Sequence, residues 1–238
     1  MKIKTALFLS LVTLSVSVFA QQDGPRIPQK RRIPRSALMI EKVTEGRKVC
    51  IVNMQKDLTL PETEAMAASA TKVLGLIFEI RDAQGKSAEQ AAAQILTDKT
   101  IGSAVVLHDS ATAPSILIAP EDGWSAINIG KLKIGADRKT LTSRAKKEFW
   151  RTLCFLMGGA NATLPNCVMK TVQNVKDLDE IKIEMACPEF YGKIIDHSRK
   201  LGLAERRPVF YGQAVREGWA PAPTNDLQRT IWNRFHSK

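Results

Sequence analysis

The sequence is poor in the residues that most enzymes of its size rely on. It has three histidines, His108, His197 and His236, and no two stand at a spacing that would let them share a metal. No Cys-x-x-Cys is present, which removes the usual signature of zinc ribbons and dithiol redox centres. Neither a glycine-rich phosphate loop nor a nucleophile elbow occurs. Aromatic residues make up only 6% of the chain, so the interleaved aromatics of single-strand nucleic-acid binders are missing and no specific nucleic-acid partner is expected. Beyond the N-terminus no apolar run is long enough to cross a bilayer.

The N-terminus itself carries a leader. Lys2 and Lys4 form a basic start, an apolar stretch runs from Ala6 to Phe19, and Val18-Phe19-Ala20 offers small residues where a signal peptidase reads. Residues 1–20 are therefore predicted to be a cleaved secretory signal, and the mature product secreted or periplasmic. Residues 21–36, rich in proline and arginine with little to bury, read as a flexible basic arm. Residues 37–238 are long enough for one domain with a helical C-terminal extension. The formal charge is +11, or +9 without Lys2 and Lys4, which favours anionic surfaces or polymers as partners, met through the arm.

Inside the domain, hydrophobic periodicity alternates between two kinds of segment. KVCIVNM after Arg47, LIFEIRD, GSAVVLHD, SILIAPE and WSAINIGKLK read as strands. LPETEAMAASATKVLG from Leu60, SAEQAAAQILTD with Ser87 as N-cap and Gln90 three residues on, and TLTSRAKKEFWRTLCFLMGG read as helices. CPEFYGKIIDHSRKLGL, PVFYGQAVREGW and NDLQRTIWNRF add helical segments at the C-terminus, and GWAPAPTNDLQRTIW suggests no chemistry beyond helix packing. The order predicts an α/β or α+β domain with a small mixed sheet and one long helix.

That helix runs into KEFWRTLCFLMGGANATLPNCVM, Lys147 to Met169. A metzincin zinc helix carries two histidines four apart, a glutamate base beside the first, a turning glycine, a third ligand and a Met-turn. With Gly158 as the turning glycine, the first ligand position falls on Arg151, the base on Thr152, the second ligand on Phe155 and the third on Asn161, over Met169. Arg144, Lys147-Glu148, Cys167-Val168-Met169, Asp179 and Cys187-Pro188 also stand where one family places such residues. On those residues the chain resembles the archaemetzincins, from about Arg47 to Tyr191. The resemblance implies a single metzincin-like (zincin-like) domain with a Met-turn.

It does not imply the family's chemistry. Phenylalanine and a protonated arginine have no lone pair for zinc. A guanidinium about 5 Å from a divalent cation is repelled by roughly 6–7 kcal/mol at an effective dielectric near 20. No catalytic residue, no bound zinc and no other cofactor is expected. Of the family's four structural-zinc cysteines, positions Cys167 and Cys187 remain while Ala162 and Phe190 occupy the others. The resemblance thus implies a Cys167–Cys187 disulfide in place of that metal. Cys50 in an apolar strand and Cys154 on the core face of the long helix read as buried thiols, with a second bridge as the alternative. His108-Asp109 reads as a strand-end turn, Asp196-His197 as an exposed helix face, and Glu148 as the ion-pair partner of Arg144 and Arg151. Asn161-Ala162-Thr163 is formally a glycosylation sequon. What remains is a cleft that could hold a peptide or protein, with WSAINIGKLK as the candidate edge strand. The competing readings are a hydrolase with unfamiliar catalytic residues and a basic protein binding anionic polymers or membranes.

Overall fold

The computed structural model describes residues 38–84, 87–164, 166–218 and 220–236. The stretches expected to be a leader, 1–20, and a basic arm, 21–36, lie outside the described residues.

Short β-branched runs form the strands. β1 spans Met39–Val43, β2 Lys48–Asn53, β3 Phe78–Asp82, β4 Ile101–His108, β5 Ile116–Ala119 and β6 Trp124–Asn128, with β7 at Arg206–Phe210. Helices alternate with them: α1 at Leu60–Leu74, α2 at Ala88–Leu96, the short α3 at Ile129–Leu132 and the long α4 at Arg138–Leu156. After α4 come α5 at Val175–Glu180, α6 at Tyr191–Lys200, α7 at Tyr211–Arg216 and α8 at Asp226–His236.

Five strands build one sheet in the order β3-β2-β4-β6-β5. The first four are parallel and β5 runs antiparallel to β6. β4 is buried along nearly its whole length because helices cover both of its faces. On one face Val49, Ile51, Val105, Leu107 and Ile127 pack against α1 and α4, with Phe149, Trp150 and Leu153 filling the centre. On the other face Cys50, Val52, Ala104, Val106 and Ala126 meet Ala88, Ala91 and Ala92 of α2, whose small side chains let the helix lie close to the sheet.

Three sequence expectations change. WSAINIGKLK is strand only to Asn128; Ile129–Leu132 closes into a helical turn against the core. β6 is an interior strand between β4 and β5, so it cannot be the open edge. Pro208–Phe210, read from the periodicity as the start of a helical segment, instead belongs to β7, which pairs with β1 as an antiparallel ribbon, Pro208 opposite Glu41.

Candidate functional site

The site grows out of α4. Asp137 caps its N-terminus, one carboxylate oxygen accepting from the Thr140 N–H at 2.7 Å. From there Arg144, Lys147 and Arg151 recur at three- and four-residue spacing, which stacks them on one side of the helix. All three are buried, an unusual place for cations unless each is satisfied. Each is. Arg144 grips Asp179 through two hydrogen bonds, 2.8 and 2.6 Å, and donates to the Leu132 and Ile134 carbonyls. Lys147 donates to the Leu178 carbonyl at 2.8 Å. Burial pushes the Lys147 amine below its ordinary range, against the opposing pull of Glu184 and Asp179.

Arg151 lies deepest in the chemistry, at 4% exposure. Its Nε donates to the Glu148 carboxylate at 3.0 Å, and Nη1 donates to the carbonyls of Val168 at 2.6 Å and Lys170 at 2.5 Å. The guanidinium carbon stands 5.6 Å from the Phe155 ring centroid, over its face. Glu148 therefore pairs with Arg151, while Arg144 finds its carboxylate on Asp179. Burial pushes the Glu148 carboxyl up, and the neighbouring guanidinium pulls it back.

The chain beyond α4 returns to this side chain. Gly158 adopts φ +77°, a left-handed turn that ends the helix. The Gly159 N–H donates to the Cys154 carbonyl at 2.7 Å, and a Cβ on Gly159 would press against that same carbonyl. A tight turn over Cys167–Lys170 follows, with buried Met169 accepting at its carbonyl from Ala162. Asn161 precedes Ala162 on the exposed side of that loop. Thr152 is fully buried, and its hydroxyl has no hydrogen-bond partner. A disulfide joins Cys167 to Cys187, Cα atoms 5.7 Å apart, so the turn is also tied to the segment leading into α6. Cys50 and Cys154 are free and buried; burial pushes their thiols up to about 11 and about 12.

Zinc does not fit these side chains. Arg151 and Phe155 supply no electron pair, Thr152 offers a neutral hydroxyl, and the guanidinium is already committed to three oxygens. Among the described residues no group of three or more histidine, cysteine, aspartate or glutamate side chains could hold a metal ion. His197 is half-buried rather than solvent-exposed, its Nδ1 3.6 Å from where a Cβ on Gly158 would stand. His236 stacks on Trp232 within α8.

Beside the Arg151–Glu148 pair is a small pocket of about 50 Å³ that Ser115 and Ile116 help to line. Those residues lead into β5, which makes β5 the strand edge next to the site. Among the described residues β5 pairs with β6 alone. The Asn128 N–H donates to the Ser115 carbonyl at 2.8 Å. Antiparallel alternation then turns the N–H and C=O groups of Ile116 and Ile118 outward. Pattern reading assigned the edge to the wrong strand. Pro114 and Pro120, bracketing ILIA, were the available signal, because proline gathers on edge strands. The Val168 and Lys170 carbonyls carried no signal, since any residue type has one.

No protein-family model matches the chain, and no curated protein matches it. Solved structures do. Archaemetzincin from Methanopyrus kandleri is 15% identical over 70% of this chain and 99% of that one, with a TM-score of 0.51. Archaemetzincin from Archaeoglobus fulgidus, complexed with malonate, is 19% identical over 61% and 99%, with a TM-score of 0.47. A zinc-dependent peptidase from Methanocorpusculum labreanum is 14% identical over 61% and 99%, also at 0.47. The first of these shows the fold to be archaemetzincin-like.

Proposed function

We propose that this is an exported, catalytically inactive archaemetzincin-like protein that binds an extended peptide or protein segment along β5. The observation that carries the reading is Arg151. At the position which the resemblance assigns to the first zinc ligand stands a buried cation, hydrogen-bonded to Glu148 and to two carbonyls of the Met-turn segment. That arrangement is an ion pair closed on the protein's own oxygens: the guanidinium is matched by Glu148 and two carbonyls and offers zinc no electron pair. Three similar structures belong to archaemetzincins and a zinc-dependent peptidase, and peptide handling is what this scaffold would retain once its cation is gone. β5 supports the binding half of the proposal: an added strand gains backbone hydrogen bonds from Ile116 and Ile118, and Leu117 is 37% exposed. The leader-like residues 1–20 and the disulfide support export, because such bridges persist in oxidising compartments.

Two measurements test the two halves. Elemental analysis of purified protein after dialysis should find far less than one zinc per chain; one tightly held zinc per chain overturns the inactive reading. Panning a random-peptide display library against the immobilised protein should enrich extended sequences. Their binding should disappear in Ile118→Pro, which removes an outward N–H without touching the β5–β6 hydrogen bonds. Equal binding to that variant, or no enrichment, overturns the β5 reading.

A further inference from the structure

The face of the sheet opposite α4 holds a larger feature that the reading above does not use. Between the start of α2, the segment 109–113 and the ends of β4 and β6 lies a cavity of about 480 Å³. That is within the roughly 300–1,000 Å³ typical of small-molecule sites. Met54, Leu117 and Trp124 give it apolar walls, while Ser87, Thr112 and His108 give it polar ones. His108 follows Ala104 and Val106 along β4 on the α2 side, only 6% exposed, and its Nε2 has no hydrogen-bond partner. The nitrogen is enclosed behind the cavity wall, and an unmatched buried ring nitrogen costs free energy that a turn of the ring toward an incoming group would recover.

The surrounding framework is held in place. The buried Asn128 amide donates to the carbonyls of Ser110 at 2.8 Å and Ala113 at 3.0 Å, and its oxygen accepts from the Ser110 N–H. Asp109 is engaged by Lys133 at 2.9 Å, with Asp57 on the same ammonium. Ser87 caps α2, accepting from the Gln90 N–H, and Ala88 and Glu89 line the cavity from its first turn. First-turn N–H groups lack intrahelical acceptors and form the positive end of the helix dipole.

We propose that this cavity binds an organic carboxylate with an apolar body, the carboxylate meeting His108 and the first turn of α2. The apolar body would lie against Trp124, Leu117 and Met54. A cation fits worse. The helix end is positive, Asp109 is engaged by the Lys133 ammonium that it shares with Asp57, and the Glu89 side chain is in solvent. Burial lowers the His108 ring below its ordinary value against the opposing effect of Asp109. A bound carboxylate would favour its protonated form and draw a proton in.

The test uses the full mature chain with hexanoate, hexan-1-ol and hexylamine as probes. The imidazole NMR signal of His108 is identified by its loss in His108→Gln. Hexanoate should raise the titration midpoint of that signal and bind about tenfold more tightly at pH 6 than hexan-1-ol, the gain of one charge-assisted hydrogen bond. His108→Phe should abolish that preference. Glu89→Lys, which leaves the buried ring in place, should tighten hexanoate severalfold. Equal binding of hexanoate and hexan-1-ol, a preference for hexylamine, an unmoved His108 signal, or indifference to Glu89→Lys would each overturn the proposal. Arg151 lies on the other face of the sheet and is untouched by these outcomes; β5 shares Leu117 with the cavity wall, and its backbone edge is tested separately by Ile118→Pro.

Discussion

Arg151 and Glu148 are a pair of opposite charges placed where water is scarce, and neither is tolerable there alone. Removing the guanidinium strands the Glu148 carboxylate and leaves the Val168 and Lys170 carbonyls without their donor. Arg151→Met should therefore destabilise the protein by about 3–5 kcal/mol in urea unfolding. The double variant Arg151→Met, Glu148→Gln should recover a large part of that loss, since the stranded charge goes with it. Strictly additive losses would show that the two side chains act separately. An ion pair at helical spacing was legible along the chain, but Arg144 illustrates how far spacing can be trusted. It stands four residues before Glu148 yet binds Asp179, 35 positions away, because the returning chain offers a bidentate acceptor that also closes its desolvated fork.

At the scale of elements, α1 and α4 are joined at their N-termini by one carboxylate. Glu62 accepts from the Thr59 N–H at 2.8 Å and the Thr59 hydroxyl at 2.7 Å, closing a capping box, and from Thr142 at 2.9 Å and Arg138 Nε at 2.8 Å across the gap. Burial raises its pKa, but the donors from Thr59, Thr142 and Arg138 outweigh it and hold the carboxyl at about 2 instead of 4.5. A carboxylate depressed on folding contributes stability above about pH 4.5 that is lost as pH falls toward 2. Glu62→Gln should flatten the stability profile across that window and lower stability at pH 7 by about 1 kcal/mol, given its partial exposure. Thermal unfolding at stepped pH reads both; an unchanged acid slope would remove Glu62 from the account. Elements with strong periodicity were legible without coordinates: α1, α2, α4 and the strands β2 to β4 fall where the pattern put them. β1 and β7 were not. MIEKV and RRPVF mix charges and a proline into short runs, and each becomes a strand only by pairing with a segment more than 160 positions distant.

Across the whole molecule, the segment after α4 is held back by a series of long-range ties. Arg144–Asp179, Lys147–Leu178 and Arg151 with the Met-turn carbonyls bind it to the helix, and Cys167–Cys187 closes it on itself. The bridge spans a sequence separation of 20, for which loop entropy gives about 3 kcal/mol. Cys167→Ser, Cys187→Ser should lose about that much, and dithiothreitol should lower the melting temperature of the wild type while leaving the double variant unmoved. A wild type indifferent to reductant would show that the bridge contributes nothing to stability.

The sequence by itself determined the alternation of strands and helices, the long basic helix ending at a glycine pair, and the absence of histidine at positions 151, 155 and 161. These are local properties, set by side-chain type and by repeats of two or about 3.6 residues. Tertiary structure alone decided that β5 and not β6 is the open edge, that Arg151 spends its donors on the Val168 and Lys170 carbonyls, and that His108 faces a cavity across the sheet from α4. Strand order, backbone acceptors and enclosed space depend on which distant segments pack together, and residue spacing along a chain does not encode that directly.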